Sequence, residues 1–182
     1  MRWLAKLIYI KILGWKIVGN TNFSKDTVKK AVIIGAPHTS NIDFFVSLFL
    51  RKITGVKTNF IVKKELFTWP LGLYFKAIGG FPIDRTSGQD KVKAIAKLFL
   101  NKKEFRLSLS PEGTRKKVDK WKTGFYYIAK EANVPIIMFT FDFKNKQNNI
   151  SEPFYPTDNM EDDINKMREF YKGIVGKNPE FS

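Results

Sequence analysis

AVIIGAPHTSNIDFFVSLFLRKI, residues 31–53, decides the fold. Residues 31–36 (AVIIGA) are a short apolar run closed by Pro37, and such a run reads as a buried strand. Thr39, Ser40 and Asn41 are helix-capping residue types, and the apolar stretch after them predicts a helix over 42–53. The same alternation continues outward. Strands are expected at 59–62, 81–83, 105–109 (FRLSL) and 136–143. Helices are expected at 69–77, with Pro70 near the start, at 90–100, with Val92, Ile95, Ala96 and Phe99 on one face, and at 121–132. A last helix is expected over 161–174. Glu161, Asp162 and Asp163 stand in its first turn and Lys172 and Lys177 around its end, the order the helix dipole favours. Strands alternating with helices predict an α/β sandwich, a mixed and mostly parallel sheet flanked by helices. With no repeat, linker or low-complexity tract, residues 1–182 read as a single domain.

Composition narrows the chemistry. A chain of 182 residues can enclose a real core, and 43% hydrophobic with 27% charged residues fits neither disorder nor a fibre. The absence of cysteine excludes a disulfide scaffold, a thiolate metal site and a cysteine nucleophile. A single histidine excludes a multi-histidine metal site. The net charge is +15, which points to an acidic partner: nucleic acid, an anionic membrane surface or a phosphorylated substrate. Residues 1–130 carry 26 basic and 8 acidic groups, against 6 and 9 in residues 131–182, so the positive field belongs to the part of the chain that holds the motifs.

The opening MRWLAKLIYIKILGWKIVG does not read as a signal peptide, because Lys11 interrupts the apolar stretch and no small-residue cleavage site follows. It is too short and too charged to span a bilayer. Residues 1–18 are expected to form an amphipathic helix. Arg2, Lys6, Tyr9 and Lys16 fall on one side, and Trp3, Leu4, Leu7, Ile8 and Trp15 on the other. Such a helix either lies in the lipid headgroup region or packs on its own domain.

Three polar sites stand at strand ends. In the first, Pro37-His38-Thr39-Ser40-Asn41-Ile42-Asp43, a loop histidine precedes an aspartate in the first turn of the expected helix. An Nδ1–H···carboxylate bond would fix the tautomer, favour the imidazolium and leave Nε2 as a general base. The same pair could equally be a loop histidine satisfied by a capping carboxylate. The second site, Gly79-Gly80-Phe81-Pro82-Ile83-Asp84-Arg85, either presents the Arg85 fork to a phosphate or is a tight turn with a surface ion pair. The third, Ser110-Pro111-Glu112-Gly113-Thr114-Arg115-Lys116-Lys117, follows FRLSL. Its turn projects Glu112, Thr114 and Arg115 from one rim, where the basic groups could meet an anion and Glu112 could orient an alcohol or hold the basic side chains. Its bland reading is a charged, solvated turn.

Together the sites resemble the lysophospholipid acyltransferase family, which includes the 1-acylglycerol-3-phosphate O-acyltransferases. His38 to Asp43 resembles the family's H-x4-D block, Gly79 to Arg85 its glycine-to-I-D-R block, Pro111 to Arg115 its P-E-G-T-R block, and Val134-Pro135-Ile136-Ile137 its apolar V-P-I block. The order is the family's, and the resemblance spans 31 to about 141. Two positions depart from it: Met138 stands where a second proline is frequent, and Lys116 where many members carry a hydroxyl residue.

The resemblance implies a glycerolphosphate-acyltransferase-type sandwich and transfer of a fatty acyl group to the hydroxyl of a lysophospholipid in phospholipid biosynthesis. The donor would be acyl-CoA or acyl-carrier protein, as co-substrate, with no further cofactor. It further implies His38 and Asp43 as the catalytic pair, with Arg85, Glu112, Gly113, Thr114 and Arg115 at the acceptor and its phosphate. With no cysteine and no G-x-S-x-G turn, direct transfer in a ternary complex is expected. The protein is expected to be peripheral, on the cytoplasmic face of an anionic membrane. The same blocks would serve a transacylase or an enzyme acting on another lipid acceptor, such as an aminolipid. A basic nucleic-acid-binding module is the remaining rival, but no recognition-helix, RNP or KH pattern supports it, and no nucleic-acid partner is expected.

Overall fold

The computed structural model describes residues 2–20, 28–83 and 88–182. At its centre is a strand that the decisive stretch encodes. Counting in chain order, β1 is Lys16–Gly19 and β2 is Lys30–Ala36, followed by α2, Ile42–Thr54. β2 pairs in parallel with β5, Phe105–Leu109, on one side and with β6, Ile136–Thr140, on the other. The sheet continues antiparallel from β6 to β7, Gln147–Ile150, and parallel from β7 to β1. A second parallel ribbon, β3 (Phe60–Lys63) with β4 (Gly80–Ile83), extends it beyond β5. There Asn59 N–H donates to Arg106 O at 2.6 Å and Ser108 N–H to Asn59 O at 2.7 Å. The mixed, mostly parallel sheet expected from the alternation is present.

Strand periodicity divides the core into two layers. Val32, Ile34 and Ala36 face one side, against Ile95 and Phe99 of α4 (Gly88–Leu100), Phe125 and Ile128 of α5 (Gly124–Glu131) and Met167 of α6 (Met160–Phe170). Ala31 and Ile33 face the other side with Val56, Ile137 and Ile150. On that side α2 turns in Asp43, Val46, Leu50 and Ile53, the spacing of one helical face. Each apolar member is fully or nearly fully buried, which stabilises by roughly 1.5–3 kcal/mol per large side chain.

Several boundaries shift for local reasons. The strand expected over 136–143 stops at Thr140, because Asp142 accepts Asn145 N–H at 3.1 Å and turns the chain back into β7. The final helix stops at Phe170 rather than 174, with its N-cap Asn159 accepting Asp162 N–H. β7, QNNI, is an unanticipated strand with no strand-like composition. Its buried Asn148 is held by its contacts: Nδ2 donates to Thr140 O at 2.7 Å, and Oδ1 accepts the Tyr9 hydroxyl.

The amino-terminal segment corrects the expectation of a helix over 1–18. α1, Arg2–Lys6, passes into a wider turn with i→i+5 pairing over Leu7–Ile12, and Leu13 N–H donates to Ile8 O at 2.8 Å. Gly14 at φ +72° then leads into β1. The wider winding breaks the 100° register on which the two faces were drawn. Tyr9, assigned to the basic side, is buried at 1% exposure between Trp15 and Phe49, whereas Trp3 is 72% exposed. One side of the segment therefore packs on the domain and the other faces outward. Among the described residues no helix is long and apolar enough to cross a membrane.

Tyr9 joins this segment to β7 and so generates a stability prediction. Tyr9→Phe leaves Asn148 Oδ1 without its donor and lowers unfolding free energy by about 1–3 kcal/mol, measured by urea titration. Tyr9→Ala adds a cavity and costs about 3–5 kcal/mol. A Tyr9→Phe curve superimposable on the wild type would remove that bond from the account.

Candidate active site

β2 ends at Ala36 on the rim of the sheet, and residues 37–41 cross from strand to α2. This is where ligands collect in α/β folds. Asp43, in the first turn of α2, is wholly buried, and its Oδ2 gathers the crossing loop. It meets His38 Nδ1 at 2.8 Å and accepts Thr39 N–H at 3.0 Å and Ser40 N–H at 2.9 Å. A carboxylate only accepts, so in this pair His38 donates through Nδ1–H. Asp43 Oδ1 is buried without a hydrogen-bond partner among the described residues, so Oδ2 makes the carboxylate's described hydrogen bonds. One oxygen thus binds the backbone of the loop and orients the histidine, while the N-cap residue Asn41 makes no side-chain capping bond.

The loop is clamped from the other end of the chain. Asn178 Nδ2 donates to Thr39 O at 2.9 Å and Asn178 N–H to Thr39 Oγ1 at 3.1 Å. Gly176 lies so close that a Cβ there would sit 2.6 Å from Thr39 Oγ1. No local pattern in the sequence marks Asn178 or Gly176 as part of the site.

The turn after β5 lies beside this loop because β5 and β2 are neighbours. Glu112 Oε2 accepts His38 N–H at 2.7 Å and Ser110 Oγ–H at 3.1 Å. Burial pushes the Glu112 carboxyl above its ordinary range, and those two hydrogen bonds oppose the shift. Its described contacts thus go to the histidine's own backbone and to Ser110 rather than to neighbouring basic side chains. Gly113 has φ +64°, which favours glycine, and a Cβ there would meet the Lys122 side chain at 2.7 Å. Lys122 N–H closes the loop onto Pro111 O at 2.8 Å. Thr114 Oγ1 accepts Lys116 N–H at 3.3 Å and does not line the cleft below, whereas Arg115 does. Arg85 and Asp84 lie outside the described residues.

Between these turns and α2 opens a cleft of about 720 Å³. His38, Ser110 and Arg115 give it a polar end, and Phe44, Phe45, Phe60, Phe75, Leu109 and Phe141 form apolar walls. The phenylalanines come from four separate parts of the chain, so no sequence window shows them together. Ser110 was within reach of the sequence, as the last residue before the Pro-Glu-Gly turn. The arrangement offers a nitrogen base with a buried carboxylate behind it, a guanidinium at the rim, and apolar surface for a chain of methylenes.

A family model described as Acyltransferase matches residues 15–141. Among curated proteins no sequence matches the chain. Among solved structures, the crystal structure of the 1-acyl-sn-glycerophosphate (LPA) acyltransferase PlsC from Thermotoga maritima superposes with a TM-score of 0.61 at 21% identity, covering 93% of this chain and 74% of that one. At that identity the likeness speaks for the fold, and the family match, over more than half of the chain, speaks for membership. The blocks around His38 and Glu112 fall inside the matched residues, and the chain belongs to the acyltransferase family.

Proposed function

We propose that this acyltransferase moves a fatty acyl group from acyl-CoA or acyl-carrier protein to the hydroxyl of a lysophospholipid such as 1-acylglycerol 3-phosphate. One observation carries the reading: the His38–Asp43 pair stands at the polar end of a cleft whose walls are phenylalanine and leucine. In the proposed reaction His38 Nε2 takes the acceptor's hydroxyl proton as its oxygen attacks the thioester carbonyl. The C–S bond then breaks, and the imidazolium returns the proton to the leaving thiolate. Asp43 holds the ring and stabilises the imidazolium. Glu112 acts one step back, fixing the His38 backbone. Arg115, joined by Arg85, holds the acceptor's phosphate, and Thr114 lies beside Arg115 on the same turn. A thioester is already activated, so the proposed step calls on no metal. The positive field of residues 1–130 and the exposed Trp3 and Leu4 support a peripheral place on an anionic cytoplasmic membrane surface.

The test is a panel of lysolipids with labelled acyl-CoA and acyl-carrier protein, with products resolved. Lysophosphatidate should be acylated, and His38→Ala and Asp43→Asn should each lower kcat by about 10²–10⁴-fold, His38→Ala without changing the melting temperature. Near wild-type turnover in either variant would remove that residue from the reaction. Arg115→Ala should raise the acceptor KM about tenfold or more and leave the donor KM little changed, as expected for a charge-assisted phosphate contact. An unaffected acceptor KM would place the phosphate elsewhere.

Glu112 supplies a pH test. Its folded carboxyl lies above the ordinary value, so its contribution to stability is present below the unfolded carboxyl range and is lost as pH rises through the raised value. Glutamine keeps an acceptor for both bonds and carries no charge. The stability of Glu112→Gln relative to the wild type should therefore improve from acid to neutral pH. Denaturant midpoints measured below and above the carboxyl range check the sign, and a difference independent of pH would refute the assignment.

A further inference from the structure

The strap between β3 and β4 is apolar and yet faces outward. After a helical turn at Lys64–Leu66 it forms α3, Leu71–Ala77, with the sequence LGLYFKA and no buried residue. Trp69 is 84% exposed, Leu73 64%, Tyr74 52% and Leu71 50%. A helix apolar on most sides belongs inside a core or in lipid, and this one is in neither within the domain. The exposure is built rather than slack. Gly72 N–H donates to Thr68 O at 2.6 Å, the Phe67 and Phe75 rings meet at 6.0 Å, and the Arg51 guanidinium ties Ile78 O to α2. A Cβ at Gly72 would sit 2.6 Å from Phe67 O, so the two arms of the strap can close only around a glycine.

Its surroundings indicate what covers it. Lys63, Lys64 and Lys76 are exposed around the apolar residues, with Glu65 the one acidic group in that segment. A tryptophan and a tyrosine among lysines suit the boundary between headgroups and acyl chains. Of the fifteen large hydrophobic side chains exposed among the described residues, twelve lie between Trp3 and Tyr74, on or beside α1, α2 and α3. These helices adjoin: Arg2 Nε–H donates to Ile53 O at 2.6 Å, and one groove is lined by Arg2, Leu48, Arg51 and Ala77. Phe75, on the strap, and Phe45, on α2, also line the cleft that holds His38.

We propose that the strap of residues 64–77 inserts its Trp69–Tyr74 face into an anionic bilayer and holds the mouth of the cleft against the leaflet, so that the lipid acceptor enters without crossing water. The occupant is a lipid surface, and the choice rests on the lipid-acceptor reading above. Insertion adds apolar burial to the attraction between the flanking lysines and anionic headgroups, an attraction that salt screens.

The experiment uses the full chain and vesicles of phosphatidylglycerol with phosphatidylcholine, free of lysolipid. Trp69→Ala and Leu73→Glu should each raise the apparent dissociation constant for these vesicles about tenfold or more. Turnover of a water-soluble short-chain lysophosphatidate should stay at the wild-type level, while turnover of vesicle-borne acceptor falls with binding. Unchanged vesicle binding in both variants overturns the inference. So does a wild type that is dimeric without lipid and becomes monomeric in the variants while still binding vesicles, since the strap would then cover a second copy. If Leu73→Glu lowers the melting temperature, brominated-lipid quenching decides: the quenched share of tryptophan emission should drop in Trp69→Phe, and an equal share refutes insertion. The two readings fail separately. Loss of vesicle binding in an enzyme that acylates no lysolipid would sink the acceptor and leave the strap. Acylation of soluble lysophosphatidate with binding indifferent to both substitutions would sink the strap alone.

Discussion

A single carboxylate oxygen organises the site. Asp43 Oδ2 meets the His38 ring and two successive backbone N–H groups, and it does so from a position with no exposure to solvent. In that low-dielectric setting an unpaired charge would be costly, so the loop has strong reason to wrap around it. The wrapping fixes the conformation of residues 38–43, the start of α2 and the direction of the imidazole in one arrangement. The favourable place of an anion in the first helical turn adds to it.

Parallel pairing then brings the second polar turn to the first. β2 and β5 run side by side in the same direction, so their carboxyl ends open on the same rim. That is why Glu112, distant in sequence, reaches His38 N–H. The histidine is consequently held at both its ring and its backbone, by two carboxylates of different standing. Asp43 has no exposure to solvent, while Glu112 is half-buried, its charge opposed by burial and supported by two donors. The Asn178 clamp on Thr39 adds a third constraint, from the last turn of the chain.

The two faces of the sheet carry different burdens. The layer of α4, α5 and α6 covers one face with a continuous core, rich in edge-on aromatic contacts such as Phe99 with Phe105 at 4.8 Å. The layer of α1, the wider turn after it, α2 and α3 buries Tyr9, Val46, Leu50 and Ile53 inward and leaves large apolar side chains outward. The cleft opens beside this second layer, so the surface that carries most of the exposed large apolar side chains among the described residues is also the one next to His38 and Asp43.

Much of this was legible in the residues themselves. The strand at 31–36, the helix after it, FRLSL as a strand and the pairing of His38 with Asp43 all rest on contacts within a few positions, where periodicity and capping act directly. What local sequence could not decide was anything set by distant partners. Asn148 lies in a buried strand only because Tyr9 and Thr140 satisfy its amide. Arg106, on the alternating strand FRLSL, is wholly buried, with its guanidinium on the carbonyls of Val28 and Lys57 and on Glu104. The amino-terminal faces came out rotated because the wider winding after Lys6 has no signature in residue spacing. The walls of the cleft and the Glu112–His38 bond exist only once β2 and β5 are paired and α2 is laid on the sheet. Local sequence determined which residues would stand at strand ends, since that follows from short-range sterics and hydrogen bonding; tertiary packing decided which of them meet, since that depends on the desolvation of groups far apart along the chain.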